Sequence, residues 1–418
     1  MATKKARRLI VGGGFGGLFT ALDLGGDAEV TIITPEDHFL FKPLLYEYLS
    51  GEVEAWHIAP NYKELLDEKI RVLHGAVTEI DFERREVSVA GRVRRLEYDV
   101  LVLAVGGVTN FWNVEGAEKY TLPFRKLEHA DTLRRRMIQA LDRIPPERAP
   151  QEVRRELTFA VVGGGASGVE LSSKMADLLN DAIRRRALSG EARVMIVEMG
   201  GHLVPGMGDE IRSFVEDALQ KAGVEVHTNT RVVRVTEQSF TFEQDGEQTE
   251  VGTAGVVWVA GVRMNPLLEE LDLEKERRGM ILVRPTLQTK QRDEVFALGD
   301  IAYVDEVAPV LAGTAQLAFQ EATLVARNIK ALLAGKELHT KQFEELGEAV
   351  SLGTERAAVL AGKKAMGGAL ARQARFALYT SRLPTWQHRL KVGASWFFEG
   401  TTPRPLGLER DDDAPRIS

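Results

Sequence analysis

Two glycine runs carry the most specific chemistry in the chain. Gly12-Gly13-Gly14-Phe15-Gly16-Gly17 follows the apolar run Arg8-Leu9-Ile10-Val11, and Gly163-Gly164-Gly165-Ala166-Ser167-Gly168 follows Phe159-Ala160-Val161-Val162. Both fit G-x-G-x-x-G at a strand-to-helix turn. The first glycine (Gly12, Gly163) permits the tight turn. The second (Gly14, Gly165) lets the backbone approach a pyrophosphate, and the third (Gly17, Gly168) lets the helix pack on the strand. The N-terminus of the next helix then faces the phosphates with its partial positive charge. One such loop is weak evidence, because an ordinary βα turn also uses glycine. Two, each in strand–loop–helix context, point to two dinucleotides held so that electrons pass between them.

The elements that must position these loops follow from periodicity. Residues 8–12 read as strand, 15–25 as helix, and Glu29 to Thr34 as the second strand of a βαβ unit. An acid often ends that strand and binds a ribose hydroxyl. Here Thr34 ends it, and Glu36 two residues on is the candidate substitute. The order recurs over residues 157–200, where Arg193-Val194-Met195-Ile196-Val197 ends at Glu198. A carboxylate there can accept both ribose hydroxyls of NADH and repel the 2′-phosphate of NADPH; the alternative is a solvated surface glutamate. Residues 87–103 look like a hairpin feeding the strand that stops at Gly106-Gly107. Residues 223–262 look β-rich and close on a glycine turn at Gly261. Residues 142–156, with Pro145, Pro146 and Pro150, read as a linker or surface excursion. Glu294 to Asp300 leads on to a helix-like stretch from about Ala315 to Leu333.

The expected fold class is α/β: two Rossmann-like dinucleotide-binding folds plus a C-terminal membrane-associating region. The expected domains are 1–125 and 263–338 for one fold, split by 126–262 for the other, with 339–418 as the C-terminal region. Asp300 stands at a strand end and helix start, where an N-cap is the plain use of aspartate. Glu170, two residues after Gly168, lies on the first turn of the second nucleotide helix, where a carboxylate complements the macrodipole. Gln316 and Gln320 are spaced i, i+4 and share a helix face; with Ala315 and Ala318 they leave a small-residue surface that a flat ring can approach.

Composition narrows the function classes. The chain has 418 residues, 44% hydrophobic and 28% charged, as expected of a soluble globular protein of two or three domains. A net charge of −7 gives a nucleic-acid partner no global support. With no cysteine, there are no disulfides, no thiolate metal sites and no redox route through a protein disulfide. His57, His74, His202 and His388 form no ligand-spaced cluster, so no metal is expected. No run of 18 or more apolar residues occurs, and the basic N-terminus leads directly into a strand, so a cytoplasmic-side protein is expected. The tail differs in character. Lys363, Lys364, Arg372, Arg375, Arg382, Arg389 and Lys391 occur with no intervening acid, among Leu370, Phe376, Leu378, Tyr379, Leu383, Trp386 and Leu390, followed by Trp396-Phe397-Phe398. A solvated helix over a core is the plain reading. A peripheral interfacial segment on an anionic lipid surface, drawing about 1 kcal/mol per cation, is the sharper one.

In combination these pieces resemble the type II NADH:quinone oxidoreductases, an FAD fold interrupted by an inserted NAD(P)H fold. Phe39 to Glu47 (FLFKPLLYE) is similar to that family's HLFQPLLY segment, Gly163 to Glu170 (GGGASGVE) to its second glycine loop, and Trp258 to Val262 and Ala297 to Asp300 also fit. Thr314 to Gln320 (TAQLAFQ) matches its A-Q-x-A-x-Q quinone pattern. Within the family, Leu346 to Gly353, Arg382 to His388, Arg125 to Leu127 and Trp56 to Pro60 resemble the cyanobacterial and chloroplast branch, which includes demethylphylloquinone reductase.

The resemblance implies non-covalent FAD, with Gly12, Gly14, Phe15, Gly17, Lys42, Pro43, Gly106, Asp300 and Ala315 toward the cofactor. It places Gly163, Gly165, Gly168, Glu198 and Gly261 toward NADH or NADPH. Glu170 is implied near the flavin–nicotinamide contact, ordering water or proton traffic, and Gln316 and Gln320 at a quinone headgroup. The implied partners are a membrane quinone of the menaquinone, plastoquinone or demethylphylloquinone class, an anionic lipid surface, and a second copy of the chain in a homodimer. The implied place is peripheral, on the cytoplasmic face of a membrane, without proton pumping. Two other classes share the glycine loops. A ferredoxin- or rubredoxin-type reductase would not need the A-Q-x-A-x-Q helix, and a non-catalytic nucleotide-binding flavoprotein would act by interaction. Disulfide and sulfide:quinone reductases need cysteines this chain lacks.

Overall fold

The computed structural model describes residues 6–26, 28–304, 313–345, 347–361 and 364–407. Lys363 and Leu346, named above, lie outside them. The chain divides into two compact units. The first comprises residues 1–41, 59–108 and 262–346; the second comprises 42–58, 109–261 and 347–418.

The first unit is built on a five-stranded parallel sheet. Arg7–Val11 is flanked by Glu29–Thr34 and Val100–Leu103, with Arg71–His74 and Val295–Ala297 at the edges. Leu101, Val102 and Leu103 are fully buried, as a strand covered on both faces requires. The glycine-loop helix Phe15–Leu24 and the long helix Ala315–Leu333 pack against each other, with Phe19 edge-on to Phe319 at 4.7 Å between centroids. Phe15 is edge-on to Phe39 at 5.1 Å, which ties the loop to the segment before Lys42. The expected hairpin at 87–103 is instead a three-stranded antiparallel sheet: Val77–Asp81 pairs Glu86–Val89, which pairs Leu96–Glu97. Val100–Leu103 leaves it for the parallel sheet, because its side chains are apolar on both faces while those of residues 77–97 alternate.

The second unit repeats the plan. Thr158–Val162 lies between Arg193–Val197 and Gly255–Trp258, with Glu225–His227 and Thr121–Pro123 outside them, all parallel. Helix Ala166–Arg185 follows the second glycine loop. The proline-bearing segment is not all linker: Pro150 opens a helix, Pro150–Glu156, occupying the N-terminal position where its missing N–H costs nothing. An antiparallel sheet of Arg231–Val235, Ser239–Gln244 and Glu247–Gly252 accounts for the β-rich stretch.

The C-terminal part of this unit has its own order. Glu348–Ser351, Ala357–Ala361 and Lys364–Gly368 form a small antiparallel sheet, followed by helices Ala369–Ser381 and Trp386–Glu399. Among the described residues no helix is long and apolar enough to cross a membrane.

Candidate functional site

The two glycine loops have the same construction. Gly12 has φ +109°, and an added Cβ would lie 2.3 Å from the Ala104 carbonyl oxygen; Gly163 has φ +113° and is crowded by Ala260 in the same way. A Cβ on Gly17 would lie 1.8 Å from the Gly12 oxygen, and one on Gly168 1.8 Å from the Gly163 oxygen. Gly14 and Gly165, by contrast, have nothing within 4 Å of an added Cβ. The outer glycines are thus closed against strand and helix while the middle ones open outward, as a backbone cradle for a pyrophosphate must. This fits a dinucleotide on each unit.

Around the first loop, Tyr62 Oη donates to the Gly13 carbonyl at 2.7 Å, and Thr34 Oγ1 donates to Glu36 Oε2 at 3.2 Å. Gly106, at φ +62°, follows Val100–Leu103, the strand between Arg7–Val11 and the edge strand Val295–Ala297. The strand Val295–Ala297 runs into a turn, Gly299–Ile301, that carries half-buried Asp300. Ala315 opens the long helix, which Thr314 caps by accepting from the Leu317 N–H at 3.2 Å. Gln320 is buried and its amide is spent: Nε2 donates to the Glu344 carbonyl at 2.8 Å, and Oε1 accepts from the Glu344 N–H at 3.0 Å. It clamps the returning chain, which the i, i+4 spacing could not show. Gln316 is half-buried on the first turn.

At the second loop, Glu198 turns inward. Oε2 accepts from the Gly164 N–H at 2.5 Å and Oε1 from the Gly200 N–H at 2.6 Å. The carboxylate is therefore fixed at the loop rather than waving in solvent. The residues that follow Glu198 shortly in the chain, Gly201, His202 and Leu203, line a cavity of about 400 Å³ together with Val226 and Thr228. Gly261, at φ +82°, faces the Trp112 indole.

Glu170 is buried within a group of charges that sequence reasoning missed. Its Oε1 accepts from Arg375 Nη2 and from the Ser351 N–H, each at 2.8 Å. Arg375, itself 2% exposed, also donates to Glu47 Oε1 at 2.7 Å and to the Pro43 carbonyl at 2.9 Å. Lys174, one helical turn after Glu170, is 1% exposed and pairs with Glu47 at 3.5 Å and with Glu52. Arg372 pairs with Glu52 at 2.7 Å. Three carboxylates thus meet three cations from three distant stretches of one unit. Burial pushes the Glu170 carboxyl up to about 7; Arg375 opposes the rise and Glu47 adds to it. Burial would raise Glu47 too, but Arg375 and Lys174 outweigh it and hold that carboxyl low. The signal was present: Glu47 sits inside Leu44-Leu45-Tyr46 and Tyr48-Leu49, and Lys174 follows Glu170 by four on a buried helix face. Lys42, at the start of the short turn Lys42–Leu44, is exposed.

The tail departs from the expectation of uncompensated cations. Arg375 and Arg372 answer buried carboxylates rather than a lipid headgroup. Arg389 Nε donates to the Leu383 carbonyl at 2.7 Å. Trp396 also turns inward, edge-on to Phe376 at 4.9 Å and within 3.4 Å of His57 Nδ1. Large apolar side chains remain outward: Leu370 is 78% exposed, Trp386 64%, Leu390 63%, and Phe397 and Phe398 82% each, with Lys391 exposed among them.

The chain matches the pyridine nucleotide-disulphide oxidoreductase family over residues 6–322. It lacks the cysteines of that description. It is 34% identical to demethylphylloquinone reductase of Synechocystis, over 97% of this chain and 98% of that one. To the type II NADH:quinone oxidoreductase of Mycobacterium tuberculosis it is 32% identical, over 79% of this chain and 74% of the relative. The fold of NDH2 from Plasmodium falciparum, solved with NADH, superposes with a TM-score of 0.83 at 18% identity, over 95% of this chain and 99% of that one. With both nucleotide cradles present and no cysteine to carry a disulfide step, the chain belongs to the type II NADH:quinone oxidoreductase family of flavoproteins, in the branch of demethylphylloquinone reductase.

Proposed function

We infer that the protein is an FAD-dependent NAD(P)H:quinone oxidoreductase. The observation that carries this is the pair of open glycine cradles in a chain with no redox-active cysteine, within a family whose members include demethylphylloquinone reductase. FAD, when bound, supplies the two-electron chemistry between nicotinamide and quinone. This chain's residues bind, orient and shield. Gly12, Gly14 and Gly17 would seat FAD phosphates, Phe15, Gly106 and Ala315 would line the cofactor, and Asp300 would accept from a cofactor hydroxyl. Gly163, Gly165 and Gly168 would seat the nicotinamide dinucleotide, with Gly261 at the turn beyond. Glu198 would take the ribose hydroxyls. Its fixation by two backbone N–H groups supports selection for NADH. Glu170, held by Arg375 and Ser351, would keep or release a proton at Oε2, because Oε1 is the atom already engaged.

The quinone reading rests on the A-Q-x-A-x-Q helix. Gln316 is the residue to present its amide to a headgroup of the menaquinone, plastoquinone or demethylphylloquinone class, with Gln320 supporting the site through residue 344. Peripheral attachment to a membrane, on the cytoplasmic face as the resemblance implies, draws support for the attachment itself from the outward Trp386, Leu390, Phe397 and Phe398, with Lys391 among them for anionic lipid.

The test separates the two half-reactions. Gln316→Met should slow reoxidation of the reduced flavin by a soluble quinone in stopped flow by about tenfold, the scale of one lost hydrogen bond. Reduction by NADH should stay within about twofold, because the helix fold is untouched. Equal losses in both halves would place Gln316 at the cofactor instead, and no loss would remove it from the site.

A further inference from the structure

Glu321 is a buried carboxyl that belongs neither to the glycine loops nor to the charge group around Glu170. It lies on the second turn of helix Ala315–Leu333, next to Gln320, and is 1% exposed. Among the described residues no lysine, arginine or histidine pairs with it; the charged group that acts on it is Asp300, another acid. An isolated buried carboxyl is costly and calls for a reason.

The reason lies in what it holds. Glu321 Oε2 accepts the Gly299 N–H at 2.6 Å. Leu298 N still donates to the Leu103 carbonyl, so the parallel ladder ends there, and among the described residues no backbone carbonyl takes the Gly299 N–H. Gly299 has φ +75°, and an added Cβ would lie 3.6 Å from Ala318 Cβ, so the helix rests directly against the turn. A half-buried N–H in a left-handed turn, where the sheet ladder has ended, calls for an acceptor. Here the acceptor reaches down from the helix that also carries Ala315 and Gln316. Burial pushes the Glu321 carboxyl up to about 8, with the Gly299 bond opposing and Asp300 adding to the rise. At neutral pH it is therefore mostly uncharged and still an acceptor.

We propose that Glu321 is a positioning residue for FAD: it pins the Gly299 amide and thereby sets where the next residue, Asp300, presents its carboxylate to the cofactor. The proposal rests on the reading of Asp300 as a cofactor contact. It makes a chemical demand that mere packing does not. A carboxamide, isosteric with the neutral carboxyl, can replace Glu321, whereas an apolar side chain of similar size cannot.

The experiment compares holoenzymes of the wild type, Glu321→Gln, Glu321→Leu and Asp300→Asn. FAD release after dilution is followed by recovery of flavin fluorescence, and the flavin midpoint potential is measured by spectroelectrochemistry. Glu321→Leu should release FAD about tenfold faster than the wild type and shift the potential, while Glu321→Gln should stay within about twofold, the difference being one acceptor. Asp300→Asn should also speed release. If it does and Glu321→Leu does not, the inference is overturned while the Asp300 reading stands. If Asp300→Asn leaves release unchanged, the Asp300 reading fails and the inference falls with it. Should Glu321→Leu not fold, Glu321→Met makes the same comparison. A Gln variant that loses FAD as fast as the apolar one overturns the proposal in either case, because the hydrogen bond would then not be the cause.

Discussion

Replacing Arg375 by methionine tests the buried charge group most directly. The guanidinium is 2% exposed and supplies bonds of 2.7 Å to Glu47, 2.8 Å to Glu170 and 2.9 Å to the Pro43 carbonyl. Methionine fills much of the volume but removes the guanidinium from three acceptors, leaving Glu170 with the Ser351 N–H and Glu47 with Lys174. Removing one partner of a buried ion pair costs about 3–5 kcal/mol, because the remaining charge keeps its desolvation penalty. For a unit of this size that corresponds to a fall in Tm of roughly 6–20 °C. The loss should depend on pH in a defined direction. In the wild type Glu47 is held low by Arg375 and Lys174, so its contribution is present above its unfolded pKa and is lost on acidification. Without Arg375 both carboxyls favour the protonated form, so the deficit of the variant should be largest above pH 7 and shrink toward pH 5. Thermal unfolding followed by far-ultraviolet circular dichroism, with FAD in excess, reads both. Arg375→Lys, which keeps the charge but not the fork, should fall between. A methionine variant melting within about 2 °C of the wild type at pH 7.5 would refute the claim that these charges hold the unit together.

Four further outcomes are expected. Glu198→Arg should move the NADH-to-NADPH ratio of kcat/KM toward NADPH by about tenfold or more, equivalent to about 1.4 kcal/mol of differential transition-state binding; a wild type that already prefers NADPH would show that another residue makes the choice. Glu170, raised above its unfolded pKa, contributes stability that is full below about pH 4.5 and lost as pH rises through about 7. Glu170→Gln should therefore flatten the pH dependence of Tm across that window, and an unchanged slope would exclude Glu170 as the titrating group. Phe397→Ser with Phe398→Ser should weaken co-sedimentation with anionic liposomes by about tenfold or more, since each phenylalanine contributes up to about 1.5–3 kcal/mol when buried. Neutralising Arg372 instead should chiefly lower thermal stability, because its partner is Glu52 rather than lipid.

Sequence alone determined the parts of this protein whose physics is local. A strand, a glycine turn and a helix in immediate succession leave little freedom, so both cradles and their flanking strands could be placed from residues 8–34 and 157–198, and Glu198 from its position at a strand end. The absence of cysteine excluded disulfide chemistry outright. The helix Ala315–Leu333 was legible from its pattern. The misreadings share one cause, which is that a side chain's partner lies far along the chain. Arg372 and Arg375 count as free cations in a stretch without acids, and only the fold brings Glu47, Glu52 and Glu170 to them. Gln320 looks like a free amide on a helix face until residue 344 returns beside it, and Trp396 looks interfacial until His57 and Phe376 cover it. The small sheet at 348–368 has short strands separated by glycine, too weak a periodic signal to declare itself before its pairing does. Spacing along a chain reports which face a residue shares with its near neighbours. Whether that face meets solvent, lipid or an opposite charge is decided by long-range packing, and only the tertiary structure holds that information.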